Sequence, residues 1–328
     1  MLTRRHALGL AVAMPAATLL PAAARTAEWP ERPVHLIVPY AAGGNIDLVS
    51  RLVGANLSES LGQPVVVENR AGAGGSVGAE SVARAAPDGY TLLAGSNGPI
   101  TVNPLVQASL PYKPLEDFAP IVMINRVPLV LMVTGKVEAR DLKALIAESK
   151  AGKGVATGTA GAGSTGHLAL ELFNNSTGAH LLHVPYRGGG AVVPDFIAGN
   201  IGAMIIEYST ALPLHRDGKG RILAIAAEHR SPLLPDVPTF IEQGVADFTA
   251  ASYCGLFAPR ATPAAVQGRL REAAAAAVAD PGVRRQLEAM GSEMAEGALL
   301  TPEGFTAFLR EQARLAKHAA DLAGLQPT

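Results

Sequence analysis

Short apolar runs that end in glycine-rich turns and give way to helical periodicity recur along this chain, and few folds accommodate that alternation. Val34-His35-Leu36-Ile37-Val38 is closed by Pro39 and reads as a buried parallel strand. Beyond Gly43-Gly44, the residues Ile46, Val49, Leu52, Val53, Leu57 and Leu61 share one helical face. Asn45 or Asp47 is placed to cap the first turn of that helix, and Gly62 to stop it. Val65-Val66-Val67 follows as a strand, a turn at Gly72, Gly74 and Gly75 opens a helix through Val77 and Val82, and Tyr90 to Ala94 is a third strand after the Pro87-Asp88-Gly89 turn. This βαβαβ order predicts an α/β protein with a parallel sheet covered by helices.

The same grammar resumes at Leu129-Val133 and continues through strands at Val155-Thr157, Leu181-Val184, Ile201-Ile206 and Ile222-Ala227. Helices are expected between them at Asp141-Lys150, Ser164-Ser176 and Ala191-Ala198. The last third changes character. After an apolar strand at Gly255-Ala258 come Ala-rich helices over Pro263-Ala279, Val283-Met290 and Pro302-Leu322. Two βαβ-rich blocks and a helical tail suggest two lobes, with the tail packed back on the first. His35, on the first strand, is expected to be a hydrogen-bonded core residue.

The N-terminus differs in kind. Arg4-Arg5 precedes an apolar run from Ala7 to Leu20 and then Pro21-Ala22-Ala23-Ala24, the layout of an export signal over residues 1–27. The Arg pair fits a Sec or a twin-arginine route, with Ala7 where the latter usually has phenylalanine. The run is too short to cross ~30 Å of hydrocarbon and contains Pro15. The chain is therefore expected to be soluble in the periplasm. Its single cysteine, Cys254, permits no internal disulfide. A net charge of −1 supplies no basic stripe for phosphates, so nucleic acid is not an expected partner.

Two strand-to-helix turns carry the chemistry. One holds Tyr40, Ala42, Gly43, Gly44, Asn45 and Asp47; the other holds Thr159, Gly161, Gly163, Ser164 and His167. A helix N-terminus has unpaired N–H groups and partial positive charge, and glycine admits a ligand close to the backbone. On facing lobes, two such turns could grip an elongated dianion without arginine; each is also what an ordinary βα connection needs. Ser96 and Asn97, just past a strand, would reach the same cleft, as would Tyr186. Glu207, ending a strand of the second block, could accept from a ligand hydroxyl or amine, or stand solvated.

Other readings are weaker. Gly161-x-Gly163-x-x-Gly166 matches a dinucleotide fingerprint, but the next strand ends in His183-Val184-Pro185-Tyr186-Arg187, without the acid that would hold a ribose. No cofactor is expected. Ser164 and His167 lie one helical turn apart, as a nucleophile and base would, but Ala162 breaks the nucleophile-elbow pattern and Ser164 suits a helix cap better. His180 and His183 point to opposite faces of their strand, and no zinc-type cluster is expected.

Longer stretches carry a family resemblance. Leu61-Gly62-Gln63-Pro64-Val65-Val66-Val67-Glu68-Asn69-Arg70, Ala86-Pro87-Asp88-Gly89-Tyr90-Thr91-Leu92-Leu93, His183-Val184-Pro185-Tyr186-Arg187-Gly188 and Leu234-Pro235-Asp236-Val237-Pro238-Thr239 are similar to the tripartite tricarboxylate transporter substrate-binding proteins, the Bug family of periplasmic receptors. The likeness runs from about Trp29 to Leu325. It implies a type II periplasmic-binding fold with two crossing strands, lobe 1 being residues 28–128 plus 252–328 and lobe 2 residues 129–251. It also implies a monomer that binds a small carboxylate at Tyr40–Asp47 and Thr159–His167, uses no metal, is not an enzyme, and delivers to one large and one small membrane transporter subunit. A ligand-presenting co-receptor for a sensor kinase would share this fold, and an exported hydrolase is the remaining alternative. The family's Pro-Gly-Gly is here Ala42-Gly43-Gly44, its Trp before the last crossing strand is replaced by Tyr253-Cys254, and two of its Asp positions are Gly202 and Glu207.

Overall fold

The computed structural model describes residues 29–327, so the export-signal expectation falls outside the described residues. The first lobe opens with β1 (Val34–Val38), α1 (Asn45–Leu61), β2 (Val65–Asn69), α2 (Ser76–Ala83), β3 (Thr91–Gly95) and the short α3 (Asn103–Val106). A long strand, β4 (Phe118–Val133), crosses into the second lobe. There follow α4 (Leu142–Ala151), β5 (Val155–Thr159), α5 (Thr165–Thr177), β6 (Leu181–Pro185), α6 (Gly189–Ala198), β7 (Ala203–Glu207), α7 (Tyr208–Arg216) and β8 (Arg221–Ile225). The chain returns along β9 (Ala251–Pro259) and finishes with α8 (Ala264–Ala279), α9 (Pro281–Glu288), β10 (Glu293–Met294) and α10 (Pro302–Leu322). Among the described residues no helix is long and apolar enough to cross a membrane.

The strands follow the order β2-β1-β3-β9-β4-β7-β5-β6. β1 lies parallel to β2 and β3, and β5 parallel to β6 and β7, as the alternating grammar requires. The two parallel blocks are joined through antiparallel β9 and β4, whose pairing runs from Phe118↔Pro259 to Pro128↔Ala251. Past Pro128, β4 pairs instead with β7, from Leu129↔Glu207 to Val133↔Ala203. One strand thus serves both lobes, and the α/β, type II periplasmic-binding architecture expected from the sequence is the observed one.

Each lobe has its own apolar interior. In the first, Val49, Val53 and Leu57 of α1 meet Leu270, Ala274 and Ala277 of α8 over β1 and β9. In the second, Phe173, Phe240 and Phe248 pack ring against ring beneath α4 and α5. The tail packs on the first lobe through Phe305 and Leu309 of α10, and it also reaches the second, where Ala316 and Ala320 meet Leu168 of α5. Cys254 lies fully buried on β9, and burial pushes its thiol up to about 12. One expectation needs correction: His35 is not a core residue. β2 is an edge strand and leaves the imidazole 42% exposed, paired with Glu68.

Candidate functional site

The carboxyl ends of β1, β5, β6 and β7 point at one another across the junction between the lobes, where ligands of open α/β sheets bind. The lobes are shut there. Ala41 N–H donates to the Arg187 carbonyl at 2.8 Å, and Ser209 Oγ donates to Asn45 Oδ1 at 3.0 Å. Gly44 is so close to the start of α6 that a Cβ on it would lie 3.2 Å from the Gly190 nitrogen. The hollow left between the lobes holds ≈ 10 Å³, about the room one water needs.

Three helix starts rim this hollow: Gly44, Asn45, Ile46 and Asp47 of α1, Ser164 and Thr165 of α5, and Gly189 of α6. Their amides are the orphan donors of helix N-termini. Among the described residues, the N–H groups of Gly44, Asn45, Ile46, Thr165 and Gly189 find no acceptor. Asn45 adds a side-chain donor in the same condition: it is buried, its oxygen is held by Ser209, and Nδ2 has no partner. Tyr40, Ala160, Glu207 and Ser252 complete the wall.

Asp47 does not face a guest as a free charge. It accepts from Gly43 N–H at 2.9 Å, from Asn69 Nδ2 at 2.9 Å and from Arg51 Nη2 at 2.9 Å. Burial pulls its pKa upward, but the bonds from Arg51, Gly43 and Asn69 together outweigh it, and the carboxyl titrates below the ordinary Asp value. A depressed folded-state pKa stabilises above the unfolded value of ~3.9 and is lost as pH falls through the folded value. Asp47→Asn should therefore cost on the order of 1–2 kcal/mol at pH 7, Arg51 being discounted as half exposed. The difference from wild type should shrink in chemical denaturation series taken from pH 5 down to pH 3; a constant difference would refute the assignment.

Of the remaining predicted residues, Tyr40, Ser164 and Glu207 line the hollow, Asn97 lines a larger one beyond it, and the others hold the loops or point elsewhere. Tyr40 is buried, with its hydroxyl 3.1 Å from Ser96 Oγ, and burial raises its pKa so that it stays a neutral donor. Asn97 ties the lobe to β9, accepting from Tyr253 N–H at 2.9 Å and donating to the Ala251 carbonyl at 3.3 Å. Ser164 caps α5, its Oγ accepting from His167 N–H at 3.2 Å. The His167 ring turns away from that hydroxyl: its Nδ1 accepts from Gly163 N–H, and it stacks on His183 at 4.2 Å. Thr159 Oγ1 bonds His183 Nε2 at 2.7 Å and Gly161 N–H at 3.2 Å, which fixes the second loop from below. Tyr186 points elsewhere: its hydroxyl donates to Asp195 at 2.7 Å, and burial and that carboxylate push it up to about 12. Ala42 and Gly43 are not among the wall residues; they form the turn that lies against α6.

His167, Glu171 and His183 place one ligand-type atom each within 4.8 Å of the others. The bond from Gly163 occupies the lone pair of His167 Nδ1, which leaves the proton on Nε2, and the two rings are nearly parallel at 17°. That arrangement does not converge lone pairs on an ion. A larger hollow of ≈ 730 Å³ lies against Ala251, the neighbour of Ser252 on β9, lined by Leu168, Leu172, Leu315 and the loop Ala226–Leu233. It shares Thr165 with the smaller hollow but touches neither the start of α1 nor that of α6, so the amides of all three helices converge only on the smaller one.

Ile46, Ala160 and Thr165 lie within the two expected loops without having been singled out, whereas Gly189 and Ser252 were missed outright. The run Gly188-Gly189-Gly190 after a strand was the available signal for the third helix start; nothing local marks Ser252. The Tyr253-Cys254 departure falls in the core rather than in the wall, and Gly202 is half-buried beside Val155, also outside the wall.

Two α/β lobes on crossing strands, closed over a hollow rimmed by helix N-termini, define a solute-binding protein of the periplasmic kind. The chain belongs to the tripartite tricarboxylate transporter family of receptors, whose model matches residues 49–310. Protein BugT of Bordetella pertussis is 39% identical over 286 residues, covering 87% of this chain and 87% of BugT. A protein of R. palustris solved with adipate superposes with a TM-score of 0.87 at 33% identity, over 92% of this chain and 100% of that one. MatC of Rhodopseudomonas palustris, solved with bound malate, gives 0.85 at 32% identity, over 89% and 99%.

Proposed function

We propose that this chain is a soluble periplasmic receptor that captures a small carboxylate by lobe closure, does no chemistry on it, and hands it to the large and small membrane subunits of a tripartite transporter. The observation that carries the reading is the convergence of acceptor-less backbone amides and the buried Asn45 Nδ2 on one hollow. The adipate and malate bound by its structural relatives support the same class of guest. The proposed contacts are the first-turn amides of α1, α5 and α6 and the side chains of Asn45, Tyr40, Ser164 and Glu207, with Ser96, Asn97, Thr159 and His167 holding the loops. The division is 28–128 plus 252–328 against 129–251, exported by residues 1–27 and acting as a monomer.

Charge-assisted hydrogen bonds contribute ~1.5–3 kcal/mol each, so a few reach micromolar affinity. Calorimetry and thermal shift with malate, succinate, adipate, aspartate and citrate test the proposal. A ligand at 100 times its Kd stabilises by ~2.7 kcal/mol. Ser164→Ala removes both the α5 cap, worth about 1 kcal/mol of stability, and a wall hydroxyl, and should weaken the best ligand roughly tenfold. Unaltered binding by this variant would place the site elsewhere. Delivery is tested separately, by uptake into vesicles carrying the membrane subunits with and without this protein.

A further inference from the structure

Two carboxylates line the wall, and among the described residues Glu207, unlike Asp47, has no cation to balance it. It ends β7 and precedes α7, yet its side chain does not cap that helix. Among the described residues it has no cationic partner. Its Oε2 would lie 3.1 Å from a Cβ on Gly189, so the carboxyl is packed against the start of α6. The groups that share the hollow with it are neutral or already committed. From the first lobe these are Tyr40, held neutral, and Asp47, tied to Arg51 and Asn69; from β9 there is the Ser252 hydroxyl. From α5 there are Ser164 and Thr165, with the His167 ring one turn on; from α6 there is only backbone. No positive side chain in the wall can balance Glu207 and a guest carboxylate together, and two carboxylates in one enclosed site cannot both stay ionised.

We propose that Glu207 enters the complex as the neutral acid and donates a hydrogen bond to a carboxylate oxygen of the guest, so that capture by protein in which this carboxyl is ionised takes up one proton from solvent. This rests on the carboxylate reading above and narrows it: the guest presents a bare carboxylate at this end, not an ammonium group. Burial raises the Glu207 pKa once the lobes are shut, and an adjacent anion raises it further. Binding is then strongest below the free-state pKa and weakens above it, by about tenfold per pH unit, the slope of a single linked proton.

The test is calorimetry of the full chain with succinate, malate, adipate and aspartate between pH 5 and pH 8, each in buffers of different ionisation enthalpy. The expected result is uptake that grows toward one proton per guest as pH rises, with a Kd that rises alongside it. Glu207→Gln should abolish the uptake and flatten the pH profile, with affinity at the acid end a few-fold weaker. Carboxyl ¹³C titration of the wild type reads the same proton directly and decides the matter if the variant fails to fold. No uptake, with Glu207→Gln weakening binding at every pH, would make Glu207 an ionised acceptor for a donor-bearing guest and overturn the proposal. No uptake and no effect would make it a bystander. Failure of every probe to bind would sink the carboxylate reading itself, which is a different result from binding without a proton.

Discussion

Gly190→Ala should abolish tight ligand binding while leaving the protein folded and slightly more stable. Gly190 is the second residue of α6, in a conformation that any residue adopts, so alanine there brings the usual helix gain of about 0.5–1 kcal/mol over glycine. The obstacle lies across the junction. A Cβ at this position would sit 2.3 Å from the Ala42 carbonyl oxygen and 2.8 Å from both the Gly43 carbonyl carbon and the Gly44 nitrogen. These are backbone atoms of the opposite lobe, so no rotamer change relieves the overlap; only separation of the lobes does. Separation pulls the α1 amides away from those of α5 and α6 and costs the guest one set of donors, on the order of 3 kcal/mol or a hundredfold in Kd. Calorimetry should show this loss, and small-angle scattering with ligand should keep the dimensions of the open form. Gly268→Ala is the control: a glycine within α8 with nothing near its Cβ position. It should gain the same helix stability and bind as wild type. Equal binding by both variants would show that closure against Gly190 is dispensable.

Phe173→Ala should be the most destabilising single truncation in the second lobe. The ring is fully buried on α5 and meets Phe240 at 5.7 Å and Phe248 at 6.2 Å, both edge-on. Large-to-small replacement of a buried Phe costs about 3–5 kcal/mol, partly through the cavity left behind. The damage should be local. Trp29, the chain's single tryptophan, packs on Tyr90 in the first lobe, so its fluorescence reports that lobe while far-ultraviolet circular dichroism reports both. In the variant the dichroism transition should move to lower denaturant and the fluorescence transition should hardly move. If the two shift together, the crossing strands couple the lobes into one unfolding unit.

What the sequence made legible is what depends on neighbours along the chain. The strand-turn-helix order, the Ser164 cap and the start of α1 at Gly43-Gly44 are written in residues a few positions apart, where periodicity and capping chemistry act. Residues of the first and second glycine turns line one hollow. The stacked His167 and His183 were invisible because one rides on α5 and the other on β6, and strand alternation speaks only of residues on the same strand. Ser252 escaped for a like reason: a lone serine in an apolar strand carries no signal until the fold sets it opposite Tyr40 and Glu207. His35 was misjudged because an apolar run does not say whether the strand beside it lies in the middle of a sheet or at its rim. The orphaned nitrogen of Asn45 exists only once the lobes are shut, when Ser209 takes the amide oxygen.

The single thiol of the chain, on Cys254, turns the crossing ribbon into its own clock. A thiol held protonated and away from solvent reacts with an alkylating reagent only during excursions that unzip β9 from its neighbours. Rigid swinging of the lobes leaves it untouched, and fraying of the hinge itself does not. The rate of its modification therefore separates a receptor that breathes by pivoting from one that breathes by coming apart at the seam.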